Sequence, residues 1–342
     1  MPLDAKPVGP VGLSDRILFI DVLRGVALFG ILAANMRAFF APLDAHENIN
    51  VLYPALHDVV AQGVIDTFFQ GKFISIFSFL FGMGFAMQME RAKARGARFL
   101  GFYPRRLLAL ALFGLIHGIL IWAGDILLTY ALAGGILLLF RNRRQTTLLW
   151  WAGSILSLPI ITSTIIMGLY DSPYRQTWMQ PTPVDLPHLY KVIDIYAHGG
   201  LRQIVRQNCV EWTTQLPFEA FALYAAALFL LGMFVWRAGV VQNLPEYRPL
   251  LSRVAARCLP LGIGISFYVA LMHAILPVGQ VSVWGWAAQV LWLPGSHILA
   301  AGYMSGLAVL FLDPRWRRWL LPPPGSRCCG PRAWQTRSSR YR

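Results

Sequence analysis

Charge is what this chain has least of. Of its 342 residues only 13% are Asp, Glu, Lys or Arg, while 56% are hydrophobic. Several apolar runs exceed fifteen residues, and uncharged runs of that length read as membrane spans rather than as parts of a soluble core. Acidic residues are scarcest, 16 against 30 basic ones. The net charge of +14 does not imply nucleic-acid binding, because the basic residues gather at the ends of apolar runs, where the positive-inside rule puts them. The four cysteines, Cys209, Cys258, Cys328 and Cys329, lack metal-ligand spacing and outline no disulfide framework. A Gly-rich phosphate loop, a Ser-His-Asp order and a metal-binding cluster are missing too, and no internal repeat is evident. No cleavable signal peptide is expected, since the first apolar run is too long and too studded with polar residues.

In lipid, a strand edge or loop leaves backbone groups unsatisfied, so helices are the expected element. The expected class is all-α: a polytopic transmembrane bundle of about eight spans plus interfacial helices. Residues 1–14 read as a mobile Pro/Gly-containing leader and 15–321 as the transmembrane domain, within which 171–216 is an extracytoplasmic segment. Spans are expected at Arg16–Phe40, Gly71–Met89, Leu107–Ala123, Ile126–Phe140, Leu148–Leu169 (interrupted at Pro159), Phe218–Trp236, Cys258–Leu276 and Gly295–Leu312. Tyr53–Gln70 reads as an interfacial or re-entrant helix, His188–Thr213 as an amphipathic surface helix, and Trp284–Trp292 as an interfacial aromatic belt. Loops 91–106, 141–147, 237–257 and 313–321 hold sixteen basic residues, against six in the opposite set. That bias places the amino terminus in the cytoplasm and the 124–125 turn outside.

Ionisable side chains inside spans are costly and mark function. Leu107–Ala123 and Ile126–Phe140 form a helical hairpin closed at its outer ends by arginines. His117 sits within the first arm between Gly114 and Gly118, and Asp125 lies at the tip. On a continuous helix Asp125 would be about 12 Å along the axis from His117. A direct hydrogen bond therefore requires the chain to turn, and a role for Asp125 at the outer mouth is the favoured reading. Neutral imidazole can serve as a base or a nucleophile. In the first span Asp21, Arg24 and Asn35 share one helical stripe, with Asp21 and Arg24 spaced to pair. Arg24 suits the phosphates of an anionic donor, and Asn35 and Lys72 are candidate cavity-lining residues. Each has a plainer alternative. His117 can hydrogen-bond a neighbouring helix, Asp125 can cap the second arm, and Asp21–Arg24 can be a structural clamp. An interhelical hydrogen bond accounts for Asn35, and snorkelling for Lys72. His273 and His297 read as interface or packing residues, Glu219 as ambiguous, and Phe77, Phe79, Phe81 and Phe85 as packing. If the functional reading holds, Arg24 and His117 converge on one internal chamber.

Three blocks, RILFIDVLRGVALFGILAAN (16–35), FFQGKFISIFSFLFGMGFA (68–86) and RRLLALALFGLIHGILIWAGDILLTYALAGGILLLF (105–140), resemble the YeiB-like family of bacterial inner-membrane proteins. The likeness covers roughly residues 15–320. The opening D-x-L-R-G helix, here Asp21, Arg24 and Gly25, is similar to that of membrane acyltransferases such as heparan-α-glucosaminide N-acetyltransferase. The resemblance implies acyl transfer from a cytoplasmic CoA-type donor to a sugar, lipid or other envelope acceptor, in the inner membrane and with no resident cofactor. His117 stands in for the transferase histidine, although the motif around it differs. The competing expectations are a proton-coupled permease using Asp21, Arg24 and His117 as a relay, or a non-enzymatic scaffold. The oligomeric state is not legible.

Residues 322–342 depart from the family: PPPGSRCCGPRAWQTRSSRYR replaces an apolar region expected to open Gly-Arg-Met-Ala. Reading the codons of Arg332–Trp334 two bases later can start Arg-Met, so a frameshift near Pro322–Pro324 is expected. Resequencing the gene should show the family-like frame, and an intact frame without that alternative removes the idea.

Overall fold

Long uncharged runs become long helices. A computed structural model describes residues 17–40, 42–43, 52–169, 185–214, 218–276 and 282–320. Its helices in chain order are α1 (Leu18–Phe40), α2 (Leu56–Phe68), α3 (Lys72–Ala94), α4 (Phe99–Leu120), α5 (Leu127–Leu139), α6 (Gln145–Leu169), α7 (Leu186–His198), α8 (Leu201–Thr214), α9 (Phe218–Arg237), α10 (Leu244–Ile275), α11 (Val283–Leu312) and α12 (Pro314–Leu320). No strand occurs among the described residues. The 1–14 leader and the 322–342 tail lie outside them.

Among the described residues five stretches are long and apolar enough to cross a membrane: Leu18–Phe39, Leu56–Ala94, Phe99–Leu120, Leu244–Ile275 and Val283–Leu312. Leu127–Leu139 and Ala222–Arg237 are shorter apolar helices, and α6 runs unbroken through Pro159 for 25 residues. The chain is a helical membrane bundle. α4 makes the lipid-facing character plain, leaving Leu108, Leu112, Phe113, Ile116 and Leu120 exposed.

Several boundaries differ from expectation: the first arm of the hairpin is α4, Phe99–Leu120, rather than Leu107–Ala123. α10 and α11 begin at Leu244 and Val283, well before Cys258 and Gly295. Pro249, Pro260 and Pro294 lie inside them rather than at their ends, because two helices packed along most of their length withstand the loss of single backbone donors. The Trp284–Trp292 belt is therefore part of α11. The expected surface helix His188–Thr213 is two helices, α7 and α8, separated at Gly199-Gly200, where Gly199 is extended. α2, only 13 residues and about 20 Å long, turns into α3 at Gly71, whose φ is +81°.

Without a hydrophobic force between helices in lipid, close backbone approach holds a bundle together. α3 and α9 cross in this way. A Cβ on Gly82 would lie 1.9 Å from the Phe229 carbonyl oxygen, and one on Gly232 would lie 1.9 Å from that of Phe79. The contact is reciprocal, and buried Ala225, Ala226 and Ala227 continue it on α9. Of the phenylalanines assigned to packing, Phe81 stacks on Phe229 and Phe85 meets Tyr103 edge-on. α10 and α11 meet similarly through Gly262 against Leu299 and Gly302 against Leu259. Arg237 donates to the carbonyls of Arg141 and Arg143, which puts the last turn of α9 beside the α5–α6 loop at one end of the bundle. Asn208 of α8 donates to the Ile119 carbonyl at the other.

Replacing Gly82 or Gly232 with Ala forces the two backbones apart. Each should cost at least about 2 kcal/mol, read as a lowered unfolding temperature in detergent, whereas Gly135→Ala, with open space around its Cβ, should change little.

Candidate functional site

His117 lies in the last turn of α4, and its carbonyl accepts from the backbone of both Ile121 and Trp122 as the helix ends. The chain then doubles back, so the straight-helix separation never applies. Asp125 Oδ1 comes to 3.0 Å from His117 Nδ1, and Asp125 Oδ2 accepts from the Leu128 amide at 3.1 Å. The two readings of Asp125, cap of the second arm and partner of the imidazole, are both satisfied by one carboxylate. Its placement away from His117, at the mouth alone, is corrected. The Asp125 side chain is 1% exposed, against 35% for His117.

Gly114 and Gly118 make the space for this turn. A Cβ on Gly114 would lie 2.4 Å from the Leu128 nitrogen and 2.8 Å from Asp125 Oδ2, and one on Gly118 would lie 3.4 Å from Asp125 Cβ. The GxxxG pair therefore seats the carboxylate and the start of α5. A carboxylate only accepts, so the proton of neutral His117 sits on Nδ1 and leaves the Nε2 lone pair available. Among the described residues Nε2 has no hydrogen-bond partner. The α5 N-terminus also favours negative charge at Asp125. Trp122 meets the imidazole edge-on, with centroids 6.3 Å apart. The Trp212 Nε1 of α8 would be 3.3 Å from a Cβ on Gly118.

Arg24 lies elsewhere. It pairs with Asp21 at 3.5 Å, each side chain 43% exposed, as the spacing requires. It also lines a cavity of about 250 Å³ between α1, α3 and α4, together with Gln88, Tyr103, Arg106, Phe77 and Phe81. On α4 that cavity reaches Leu110, seven residues and about 10 Å of axial rise short of His117. His117 does not line the cavity that Arg24 lines, so the expected convergence of the two on one chamber is not found there: the imidazole and the guanidinium occupy two places joined by α4. Asn35 and Lys72 do not line the cavity. Lys72 is fully buried and donates to the Asp66 carbonyl at 2.6 Å, so it does not snorkel.

The chain is 30% identical over 303 residues to the uncharacterized protein YeiB of Escherichia coli (strain K12), covering 85% of this chain and 73% of that protein. It is 35% identical over 271 residues to the uncharacterized protein YxaH of Bacillus subtilis (strain 168), covering 75% and 66% respectively. The chain belongs to the YeiB-like family. A third relative, an uncharacterized 39.9 kDa protein in the amylase 3′ region of Bacillus acidopullulyticus, is 36% identical over 163 residues, covering 47% of this chain and 44% of that one. This YeiB-like chain thus spans about two thirds of the length of YxaH. No family model and no solved structure matches it.

The YeiB-like bundle holds further polar groups that the sequence pattern did not reveal. His297, read as interface or packing, is enclosed by polar partners: Ser75 Oγ lies 3.0 Å from its Nδ1 and the Tyr224 hydroxyl meets its Nε2. Ser75 donates to the Gly71 carbonyl, so it accepts from Nδ1–H, and Tyr224 donates to Nε2. Arg37 pairs with Asp66 at 3.0 Å, and Ser78 bonds Tyr130 at 2.6 Å. His273 is exposed at the end of α10, and the Glu219 side chain lies outside the described residues. Among the described residues no group of three or more His, Cys, Asp or Glu is arranged to hold a metal.

Asp125→Ala strands both the imidazole N–H and the Leu128 amide. It should destabilise the chain by about 2–3 kcal/mol. Gly114→Ala should lower the unfolding temperature as well, because it expels the same carboxylate; thermal unfolding of both variants checks this.

Proposed function

We propose that the chain is a membrane acyltransferase that moves an acyl group from a CoA-type thioester to a hydroxyl or amine on a sugar, lipid or other envelope acceptor. The observation that carries this reading is the His117–Asp125 pair. A buried carboxylate fixes the Nδ1–H tautomer and leaves Nε2 as a base at the end of a helix, the arrangement that general-base catalysis needs. As the acceptor oxygen or nitrogen attacks the thioester carbonyl, Nε2 takes the acceptor's proton. The new C–O or C–N bond forms, the C–S bond breaks, and the thiolate leaves with the proton returned from the imidazolium. Asp125 stabilises that imidazolium and holds its orientation.

In this reading the amino terminus and the Arg24 cavity lie on the cytoplasmic side of a bacterial inner membrane and His117 in the outer half, which the bias of basic residues among the loops supports. Arg24 meets the anionic part of the donor from inside. The donor's arm has to cross the roughly 10 Å of α4 between the cavity and His117.

Labelled acetyl-CoA should be supplied at the basic-loop face of the full chain in sealed vesicles. Acceptor-dependent release of CoA, with the label carried on the acceptor, is the expected result. His117→Ala should abolish it, and Asp125→Asn should reduce it about a hundredfold or more. Absence of both signals, with proton-dependent solute uptake instead, identifies a permease and removes the enzymatic reading.

A further inference from the structure

The cavity between α1, α3 and α4 has a charged end and an apolar end. Gln88 and Arg106 mark the first, and Arg106 donates to the neutral Gln88 amide. Phe77 marks the second, eleven residues earlier on α3 and about 16 Å up its axis. Arg24 enters from α1; a Cβ on Gly84 would lie 3.6 Å from its Nη2. Two guanidiniums thus flank one end with a single carboxylate, Asp21, paired to one of them. Tyr103 lines the same cavity and is 3% exposed, with its hydroxyl turned toward α5, 3.4 Å from where a Cβ on Gly134 would lie.

We infer that this slot binds the phosphate end of an amphiphile, with Arg24 and Arg106 on the phosphate and the apolar chain lying between Phe77 and Phe81. Guanidinium forks match phosphate oxygens in pairs, which an ammonium does not. Phenyl and leucyl walls offer nothing to a second polar group. At about 250 Å³ the slot is smaller than the roughly 300–1,000 Å³ that encloses a whole drug-sized ligand, so it takes one end of a longer molecule. The inference deepens the donor half of the proposed function, and rests on it only in naming a thioester as one source. The other source of the same chemistry is a phospholipid of the adjoining leaflet.

The test uses the full chain in phosphate-free maltoside micelles, titrated with palmitoyl-CoA or acetyl-CoA, and in micelles that also contain phosphatidylglycerol, with binding read by native mass spectrometry. Palmitoyl-CoA or phosphatidylglycerol should bind. Arg24→Gln and Arg106→Gln should each weaken binding about tenfold, the loss of one charge-assisted contact. Gly84→Leu should block the slot while the chain stays folded, since a Cβ there meets only Arg24 Nη2 and Gln88 Nε2, at 3.6 and 3.9 Å. Binding of palmitoyl-CoA alone assigns the slot to a soluble donor; binding of phosphatidylglycerol alone keeps the phosphate–amphiphile site and removes the donor from it. His117→Ala abolishes transfer but should leave this binding intact, which separates failure of the slot from failure of the chemistry. No binding by either amphiphile, or binding unaffected by all three slot substitutions, overturns the inference; acetyl-CoA bound as tightly as palmitoyl-CoA overturns its apolar half.

Discussion

The bundle depends on two backbones touching. Where α3 meets α9, each helix offers a glycine to the other's carbonyl oxygen, Gly82 to Phe229 and Gly232 to Phe79. Lipid tails compete with Leu and Phe for the same apolar contacts, so side-chain greasiness alone cannot draw these helices together. Contact at the backbone can, because dispersion grows steeply as surfaces close. The crossing divides α3. On one side Lys72, Ser75 and Ser78 each meet a different neighbour, through Asp66, His297 and Tyr130. On the other, Gly84 and Gln88 open onto the slot. Polar groups in a membrane interior are tolerated only when they are partnered or face a cavity, and α3 shows both solutions within 23 residues.

α4 ties the two poles of the candidate machinery together. Arg106, Leu107 and Leu110 line the slot near its start, and His117 closes its far end. Most of the surface between faces outward as Leu108, Leu112, Phe113 and Ile116, so only its inner stripe separates slot from imidazole. Gly114 and Gly118 belong to that stripe. Their smallness serves the hairpin itself, admitting Asp125 and the α5 N-terminus, rather than a contact with a separate chain.

The spans were legible because an uncharged run flanked by arginines has few alternatives. The i, i+3 spacing of Asp21 and Arg24 was legible because both sit on one regular helix. Asp125 was not placed beside His117 for the opposite reason: helical arithmetic was carried past Leu120, where the helix stops. His297, Ser75 and Tyr224 escaped because each is one polar residue in its own apolar run, with partners far away in sequence, and periodicity says nothing about such meetings. The starts of α10 and α11 were set too late because proline was weighed as a local breaker. Helical periodicity likewise shows that α8 is two-faced but not which face is buried.

That last point reaches beyond the finished fold. α8 turns Gln207, Asn208 and Glu211 inward and leaves Leu201 and Val210 outside, and the Asn208 amide is what satisfies the Ile119 carbonyl at the frayed end of α4. During synthesis that carbonyl emerges almost ninety residues ahead of its partner. The end of the hairpin must therefore wait for this partner until α5, α6 and α7 have been made and α8 settles over it.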